Sequence, residues 1–417
     1  MEQTFASIIT IGDELLIGQV IDTNSAFIGR SLNAIGVSVK HRLAVGDAWN
    51  DIWQALDAES KNSSIVLITG GLGPTADDIT KPLLCDYFGG KMVVDPGALE
   101  NVEAIFRMLN RPMIERNRKQ AEVPDNCTVI PNKRGTAPGM LFEKNGVVFI
   151  SMPGVPNEMQ GMITDYVLPY LTEVKALPTI IHKTLVTNGI GESSLADLLQ
   201  PWEESLPENI KLAYLPNYGM VRLRLTAIGP VKEVLEQAVE KEFETLQSLV
   251  AEFLVTTEDE PMEKVLGRIL LNRGETMATA ESCTGGYIAH LITSMAGSSA
   301  YYNGSVVSYS YEAKEDILGV DHDLLQTHGA VSEAVVIEMV KGALKQLKTT
   351  YAIAVSGIMG PGGGTDDKPA GTVWVAVGND QQTATQKFYF RFDRKRNIEL
   401  TANNAMNLLR KFIIGQK

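Results

Sequence analysis

The sequence has 417 residues, of which 44% are hydrophobic and 21% are charged, and its formal net charge is −13. This length accommodates two or three domains, each large enough to bury its own core. The negative charge disfavours a general binder of nucleic acids or anionic membranes, because affinity for phosphate backbones comes from lysine and arginine. It does not exclude a small phosphorylated substrate in a local basic pocket.

Cysteine usage and the N-terminus narrow the class of protein further. Cys85, Cys127 and Cys283 show no C-x-x-C spacing, which disfavours a zinc site or a disulfide framework. Cys283 is predicted to be a small buried hydrophobic residue. The first residues lack the pattern of a secretion signal, and no apolar run reaches about 18 residues. We therefore expect a cytoplasmic protein without a membrane segment.

In the first part of the chain, apolar segments alternate with helical patterns. Residues 5–11, 37–45 and 64–69 are predicted strands, with helical patterns between them. This alternation predicts an α/β fold in which a parallel sheet carries helices on both faces. Ligands of such sheets bind beyond the carboxyl ends of the strands.

A glycine-rich loop follows the third predicted strand at this position, with the sequence GGLGPTADDIT over residues 70–80. Asp77 and Asp78 have two interpretations. They are either N-terminal carboxylates that stabilise the next helix through its dipole, or ligands of a hard divalent cation that bridges phosphates. Asp13 and Glu14 end the first predicted strand and would lie on the same sheet edge, where they could complete a cation site.

This loop and the GDELL segment at residues 12–16 resemble the molybdopterin-binding fold of MoaB and MogA and, more closely, the N-terminal domain of CinA proteins. The resemblance includes NKRGTAPG at residues 132–139 and MPGVP at residues 152–156, which simple turn chemistry would also explain. It implies an ADP-ribose pyrophosphatase dependent on a divalent metal (Co²⁺, Mg²⁺ or Mn²⁺). The implied metal ligands are Asp13, Asp77 and Asp78, and the implied substrate-binding residues are Gly70, Gly71, Gly73, Thr75 and Lys133. The rival interpretation is a non-catalytic nucleotide- or pterin-binding module.

Residues 175–253 have a different pattern of strands and helices, which is similar to the KH module of CinA proteins. A KH module that binds nucleic acid carries a G-x-x-G loop flanked by basic residues. Gly189-Ile190-Gly191-Glu192 has neither that spacing nor that charge. We expect a structural connector.

The segment AESCTGG, residues 280–286, follows a short predicted strand and precedes a helical pattern that starts at Tyr287. Ser282 therefore lies at a strand-to-helix turn, where it either caps the helix or acts as a nucleophile beside a base. Residues 304–310 form a predicted buried strand, and Lys314 follows it. Lys314 is either a solvated surface lysine or a base whose pKa is lowered by burial.

The same segment, together with four later ones, closely resembles the C-terminal domain of the CinA family. The later segments are AGSSAYYNGSVVSYSYEAK, HGAVSE, VSGIMGPGGG and KPAGTVWVA, which begin at residues 296, 328, 355 and 368. Stand-alone versions of that domain are nicotinamide mononucleotide (NMN) deamidases. The resemblance implies Ser282 as the nucleophile, Lys314 and Tyr309 as its proton-handling partners, and Glu281 as a further catalytic residue.

The resemblance also implies a set of substrate-binding residues. They are Cys283, Thr284, Gly285, Gly286, Gly297, Ser298, Ser299, Gly357, Gly360 and Arg394. The family's G-D-R element stands here as Phe392-Asp393-Arg394, so its glycine is replaced while the arginine is kept for phosphate. Backbone N–H groups from Cys283 to Gly285 are expected to stabilise the oxyanion.

We therefore predict a bifunctional hydrolase of pyridine nucleotides with three domains, at residues 1–172, 173–256 and 257–417. Its expected small-molecule partners are NMN and ADP-ribose. A homodimer is expected, while no direct binding of nucleic acid or membrane is expected. A further interpretation takes the name of the family, competence or damage induced, literally and makes the protein an accessory factor of DNA uptake or repair.

Overall fold

The computed structural model describes residues 4–75, 78–175, 177–217 and 219–415. The chain divides into two compact units, residues 1–181 with 227–237 and residues 182–226 with 238–417. Both units combine helices with sheets, as the predicted α/β class requires. None of the helices within the described ranges is long and apolar enough to cross a membrane.

Residues 4–175 build a six-stranded sheet, a two-stranded sheet and the helices around them. The strands are β1 (Phe5–Ile11), β2 (Ser38–Val45), β3 (Ile65–Thr69), β4 (Met92–Val94), β5 (Glu122–Pro124), β6 (Thr128–Ile130), β7 (Gly139–Lys144) and β8 (Val147–Met152). The helices are α1 (Asp13–Leu16), α2 (Thr23–Ala34), α3 (Trp49–Asn62), α4 (Thr80–Phe88), α5 (Pro96–Met108), α6 (Glu115–Arg118), α7 (Pro156–Met162) and α8 (Leu168–Val174).

The six-stranded sheet has the order β2-β1-β3-β8-β7-β6. Its strands β2, β1, β3 and β8 are parallel, which confirms the predicted parallel core. However, β6, β7 and β8 pair in antiparallel fashion, so the sheet is mixed. The reason is the Asn145-Gly146 turn between β7 and β8, where φ is 53° and 78°. Positive φ at both positions is typical of a tight hairpin.

The rest of the chain adds a four-stranded sheet, a five-stranded sheet and eight helices within the described ranges. The strands are β9 (Thr179–Asn188), β10 (Ile210–Asn217), β11 (Met220–Gly229), β12 (Leu254–Thr256), β13 (Met277–Glu281), β14 (Tyr302–Val307), β15 (Tyr351–Gly357), β16 (Thr372–Gly378) and β17 (Thr383–Tyr389). The helices are α9 (Glu192–Glu203), α10 (Lys232–Leu249), α11 (Met262–Arg273), α12 (Tyr287–Thr293), α13 (Tyr311–Leu318), α14 (His322–His328), α15 (Glu333–Leu347) and α16 (Arg394–Ile414). The four-stranded sheet has the order β10-β11-β9-β12 and the five-stranded sheet the order β14-β13-β15-β16-β17.

Both faces of the five-stranded sheet are buried, and this explains the continuous apolar character of its inner strands. On β15, Ile353 and Val355 belong to a core with residues of α11 and α16. The alternate residues Ala352 and Ala354 belong to a second core with residues of α15. Side chains of a strand alternate between faces, so the sheet lies between these helices. The strand predicted at residues 304–310 is instead the partly exposed edge strand β14, and it ends at Val307.

Candidate functional site

The turn that carries Ser282 lies at the carboxyl end of β13. The Ser282 N–H donates to Val355 O at 3.1 Å, which fixes the turn to the end of the neighbouring parallel strand β15. Gly285 and Gly286 then adopt φ values of 62° and 94°, a left-handed backbone that favours glycine. Helix α12 begins only at Tyr287, and its N-cap is Gly286. Ser282 is therefore not the cap of this helix, and the capping interpretation is wrong.

The Lys314 side chain reaches this turn from α13. Its Nζ lies 3.0 Å from Ser282 Oγ and 2.7 Å from the carbonyl oxygen of Ser308. The carbonyl oxygens of Tyr309 and Ser310 lie at 3.4 Å. Lys314 is 0% exposed, so the alternative of a solvated surface lysine is wrong. The structure thus brings together the two residues that the sequence predicts as nucleophile and base.

Burial shifts the pKa of Lys314 and of the adjacent Cys283 thiol. Burial lowers the pKa of Lys314, because the charged ammonium is poorly solvated there. A neutral amine therefore becomes accessible at lower pH than for a lysine in water. Burial has the opposite effect on Cys283, whose pKa it raises to about 12. Cys283 belongs to the hydrophobic core, as predicted, and a thiol with this pKa is a poor nucleophile.

The Glu281 carboxylate is buried beneath the turn and accepts hydrogen bonds from it. Its Oε2 accepts from Gly286 N, Ile288 N and Thr284 Oγ1 at 3.1, 3.0 and 2.6 Å. Its Oε1 accepts from Ala289 N at 2.8 Å. Glu281 thus supplies the anion for the N-terminus of α12. This geometry favours a positioning role for Glu281 rather than proton transfer.

The oxyanion donors expected from Cys283 to Gly285 differ in availability. Gly285 N donates to Ser282 O within the turn. Across the described ranges, the N–H groups of Cys283 and Thr284 donate to no other residue. Two of the three expected donors therefore remain free to bind an oxyanion next to Ser282 Oγ.

Tyr309 and Arg394 form a separate contact at the same edge of the sheet. Arg394 Nη2 donates to Tyr309 Oη at 3.1 Å, and Arg394 Nη1 donates to Gly360 O at 3.1 Å. Asp393 caps α16 by accepting from Arg396 N, so the turn before Arg394 forms without the glycine of the family. Among the described residues, the Tyr309 hydroxyl makes no hydrogen bond to Ser282 or Lys314. The predicted proton relay through Tyr309 is thus not assembled here.

For a hydrolysis that depends on Ser282, we expect Tyr309→Phe to change kcat by less than about tenfold, since it removes one exposed hydrogen bond worth about 1 kcal/mol. Loss of the hydrogen bond between Arg394 and Tyr309 would change mainly KM. Steady-state kinetics of Tyr309→Phe and Lys314→Met, measured side by side, distinguishes a role of Tyr309 in proton transfer from a role in holding Arg394. A kcat loss as large as that of Lys314→Met would instead support the relay.

The segment 328–332 ties three parts of this site together. Ala330 N donates to Tyr311 Oη on α13, the helix that carries Lys314. Ala330 O accepts from Ser356 Oγ on β15 at 2.7 Å. Lys368 Nζ, from the glycine-rich loop after β15, donates to His328 O at 2.6 Å. The loop that contains Gly357 and Gly360 is therefore held at the Ser282 edge of the sheet, as predicted.

Gly297, Ser298 and Ser299 lie elsewhere, and their placement with Ser282 is wrong. They precede β14, which runs parallel to β13, and Tyr302 at its start pairs with Met277. Parallel strands put their amino ends on one edge and their carboxyl ends on the other. These three residues thus lie at the edge of the sheet opposite Ser282.

A pocket of about 560 Å³ lies beside the turn. Thr284, Gly285 and Gly286 line one part of it, and Arg394 and Lys395 line another. The two cationic side chains of this pocket suit a phosphorylated ligand.

In the N-terminal part, the glycine-rich loop lies where the sequence predicts it, at the carboxyl end of β3. Gly70 has φ 118°, and a Cβ there would approach Ile11 O to 2.3 Å. Gly70, Gly71 and Gly73 line a pocket of about 370 Å³ together with Glu14, Asp47, Asp78 and Glu158. The edge of the sheet thus carries a polar, acidic pocket.

Asp78 and Asp13 are both held by backbone donors. Asp78 accepts from Gly73 N at 2.8 Å and, through its other oxygen, from Thr75 N at 2.8 Å and the Thr75 hydroxyl. Asp13 Oδ1 accepts from Asp47 N, while Asp13 N donates to Asp47 Oδ2. Asp77 lies outside the described residues. Within the described ranges, no three His, Cys, Asp or Glu side chains are close enough to hold a metal ion.

Lys133 does not face this pocket. Its Nζ lies 3.8 Å from Asp165 Oδ2 at the surface, and the residue lines a neighbouring pocket. The expectation that it contacts the phosphate beside the glycine-rich loop is wrong for this arrangement. Lys133 follows β6, which runs in the same direction as β3 but lies at the far end of the sheet, beyond β8 and β7.

Three residues of the acidic pocket and its surroundings were missed in the sequence. Asp47 follows Gly46 after β2 just as Asp13 follows Gly12 after β1, and this repeated Gly-Asp was the available signal. Glu158 is half-buried, and burial raises its pKa. Lys81 is buried behind the loop and donates to Gln120 O at 2.6 Å, and burial lowers its pKa to about 8. No local pattern indicated the burial of the last two.

Three family models match consecutive parts of the chain. The model of the CinA C-terminal domain matches residues 259–413. The model of a probable molybdopterin binding domain matches residues 7–173. The model of the damage-inducible protein CinA KH domain matches residues 182–255.

Two similar proteins align with nearly the whole chain. A CinA-like protein of Cytophaga hutchinsonii is 43% identical over 407 residues, which covers 98% of this chain and 97% of that protein. A CinA-like protein of Flavobacterium psychrophilum is 44% identical over 411 residues, with 98% of both chains covered. A crystal structure of a competence-damaged protein (CinA) superfamily protein from Klebsiella pneumoniae is 38% identical, with a TM-score of 0.36. It covers 37% of this chain and 99% of that chain.

Proposed function

Because the chain belongs to the CinA family, we propose that its C-terminal domain hydrolyses the carboxamide of NMN to give nicotinate mononucleotide and ammonia. The observation that carries the proposal is the contact of 3.0 Å between Lys314 Nζ and Ser282 Oγ. A serine becomes a nucleophile beside a base, and a buried lysine with a lowered pKa supplies that base at lower pH than a lysine in water does.

The reaction follows from the arrangement around Ser282. Neutral Lys314 accepts the hydroxyl proton while Ser282 Oγ attacks the carboxamide carbon, and the oxyanion binds to the N–H groups of Cys283 and Thr284. Collapse of this intermediate breaks the C–N bond, and Lys314 returns the proton to the leaving ammonia. Water, deprotonated by Lys314, then cleaves the serine ester and releases nicotinate mononucleotide.

Arg394 and Lys395 are the proposed partners of the substrate phosphate. Both line the pocket of about 560 Å³ beside Gly285 and Gly286. Binding energy on the phosphate, away from the reacting carbon, orients the carboxamide toward Ser282. Ammonia release from NMN, compared with nicotinamide lacking ribose and phosphate, tests this assignment. Equal kcat/KM for the two compounds would contradict it.

A second candidate function is the hydrolysis of ADP-ribose to AMP and ribose 5-phosphate in the N-terminal domain. The acidic pocket beside the glycine-rich loop favours it, because carboxylate oxygens suit a hard divalent cation. Such a cation is commonly held by one or two carboxylates together with the substrate phosphates, so Asp47 and Asp78, which line the pocket, are its proposed ligands. When bound, it would neutralise charge on the diphosphate. The rival proposal for this pocket is nucleotide or pterin binding without catalysis.

We expect removal of divalent cations to abolish ADP-ribose hydrolysis, and Asp78→Asn to reduce kcat/KM by about 10²-fold, the effect typical of lost charge stabilisation. Release of AMP is followed by chromatography, with restoration by added Mg²⁺, Mn²⁺ or Co²⁺. Glu100→Gln, an exposed change on α5, is the matched control. No hydrolysis by the intact protein would favour the rival proposal, and metal-independent hydrolysis would contradict the proposed cation site.

Two further expectations concern the partners of the protein. A homodimer is proposed from the family, and its mass in solution by light scattering tests it. Direct DNA binding is not proposed, because the net charge is −13 and Gly189 to Glu192 lacks the basic G-x-x-G loop. A salt-dependent gel shift would revive a role in DNA uptake or repair.

A further inference from the structure

One buried side chain joins the loop after β15 to the segment before α16. Asn397 lies in the first turn of α16 and is 2% exposed. Its Nδ2 donates to Met359 O in the loop and to Phe392 O in the segment, both at 3.0 Å. Its Oδ1 accepts from Phe392 N at 3.3 Å. The amide of Asn397 therefore fixes two backbone segments relative to each other and to the helix.

The contacts of Asn397 require a side-chain amide. An amide has two donor hydrogens and an acceptor oxygen, and the three hydrogen bonds use both hydrogens and the oxygen. An aspartate would direct a carboxylate oxygen at the carbonyl oxygens of Met359 and Phe392. A leucine of similar size would leave these backbone groups without their partner. The chemistry at this position is thus more specific than packing alone demands.

Both segments that Asn397 joins are connected to Arg394. Phe392 lies two residues before Arg394 in the chain. Gly360 follows Met359 in the loop, and its carbonyl oxygen accepts from Arg394 Nη1 at 3.1 Å. The Arg394 side chain is exposed, and a long exposed side chain loses rotamer freedom when it binds a ligand. A fixed carbonyl oxygen beside a fixed helix start reduces this loss, because the guanidinium is held before the ligand arrives.

We propose that Asn397 is a positioning residue for the substrate phosphate, and that it acts through Arg394 without touching the ligand. The amide fixes the distance between Gly360 and the start of α16, which sets the direction of the guanidinium in the pocket of about 560 Å³. Asn397 is not among the described residues that line this pocket. The inference rests on the proposed function, since it needs a substrate phosphate at Arg394.

Calorimetric binding of NMN, compared with nicotinamide riboside, which lacks the phosphate, tests the proposal. The full chain carries Ser282→Ala in every sample, so that binding is measured without turnover. Asn397→Leu should weaken NMN binding by about tenfold or more, the effect of one lost hydrogen bond to a charged group. Affinity for the riboside should stay within about twofold. An equal loss for both ligands would indicate a general structural effect and would overturn the proposal.

Arg394→Ala shows whether the effect passes through the guanidinium. In this background Asn397→Leu should change NMN affinity by less than about twofold, because substitutions that remove the same contact do not add. An undiminished loss there would overturn the proposal. Asn397→Ser removes the amide without added bulk and should reproduce the pattern, so the test does not depend on the folding of one variant. Asn403→Leu, at a partly exposed position of the same helix, is the matched control.

Kinetics of the chain with its serine intact separate this inference from the proposed function. Asn397→Leu should raise KM for NMN by the same factor as it weakens binding, with kcat within about twofold. If no ammonia is released although NMN affinity depends on Asn397 through Arg394, the deamidase is contradicted and the role of Asn397 stands. If ammonia is released and Asn397→Leu leaves KM and NMN affinity unchanged, only the role of Asn397 is overturned. Absence of NMN binding by the full chain would overturn both.

Discussion

Lys314→Met should lower kcat for NMN deamidation by about 10³-fold, within the range of about 10² to 10⁴ that general base catalysis contributes. Lys314→Arg should be as inactive, because a guanidinium keeps its proton at any working pH. The physical reason is the position of Nζ, 3.0 Å from Ser282 Oγ on a fully buried lysine side chain. Ammonia release under saturating NMN measures the loss.

The pH dependence of the activity follows from the direction in which burial shifts the pKa of Lys314. Burial lowers the pKa of Lys314. The neutral amine therefore predominates already at pH values below about 10.4, the usual pKa of a lysine. Activity should therefore rise as pH increases through this lowered pKa and fall in acid, and the acid limb of kcat/KM reports it. Lys341→Met, an exposed change on α15, is the control. Retention of activity in Lys314→Arg would contradict the base assignment.

Glu281→Gln should lower the free energy of unfolding by about 3 kcal/mol. The variant replaces a buried carboxylate by an amide, whose own N–H groups would point at backbone N–H donors. Those buried backbone N–H groups would then lack an acceptor, at a cost of about 1–3 kcal/mol each. The groups concerned are the N–H of Gly286, Ile288 and Ala289. Urea denaturation measures the change through the midpoint and slope of the transition.

Hydrogen exchange distinguishes the loss of the hydrogen bonds to Glu281 from a general loss of packing. Exchange at residues 286–289 should accelerate by about 10²-fold, because about 1.4 kcal/mol corresponds to a factor of ten. Glu244→Gln, at an exposed position of α10, should leave both quantities unchanged. If Glu281→Gln keeps the unfolding midpoint and the exchange rates of the intact protein, the carboxylate does not hold the turn.

Much of the fold was predictable because local patterns determine it. The buried strands β1, β3 and β13 are short apolar runs that end in glycine-rich or polar loops. The three family matches confirm the expected class: a molybdopterin-binding type N-terminal domain, a KH-like middle domain and a CinA-type C-terminal domain. The antiparallel part of the first sheet was missed, since the decisive signal was only the pair Asn145-Gly146.

The candidate site shows the limit of local patterns more clearly. Ser282 and Lys314 were found because their motifs are specific and both follow strands whose carboxyl ends meet. Ser298 was predicted at the wrong edge of the sheet. Its motif is equally specific, but it precedes β14, and the amino end of a strand parallel to β13 lies at the edge opposite Ser282. The role of Glu281 depends on backbone N–H groups up to eight residues later, and a sequence pattern does not display such donors.

The most direct test of the proposed amidohydrolase is ammonia release from NMN by the intact protein and by Ser282→Ala, at equal folded concentration. Calorimetric binding of NMN to the variant shows that its pocket is intact. Ammonia with stoichiometric nicotinate mononucleotide from the intact protein, and a loss of at least about 10³-fold in a variant that still binds NMN, is the predicted result. Ammonia release by Ser282→Ala at the intact rate would contradict Ser282 as the nucleophile, and none from the intact protein would contradict NMN as the substrate.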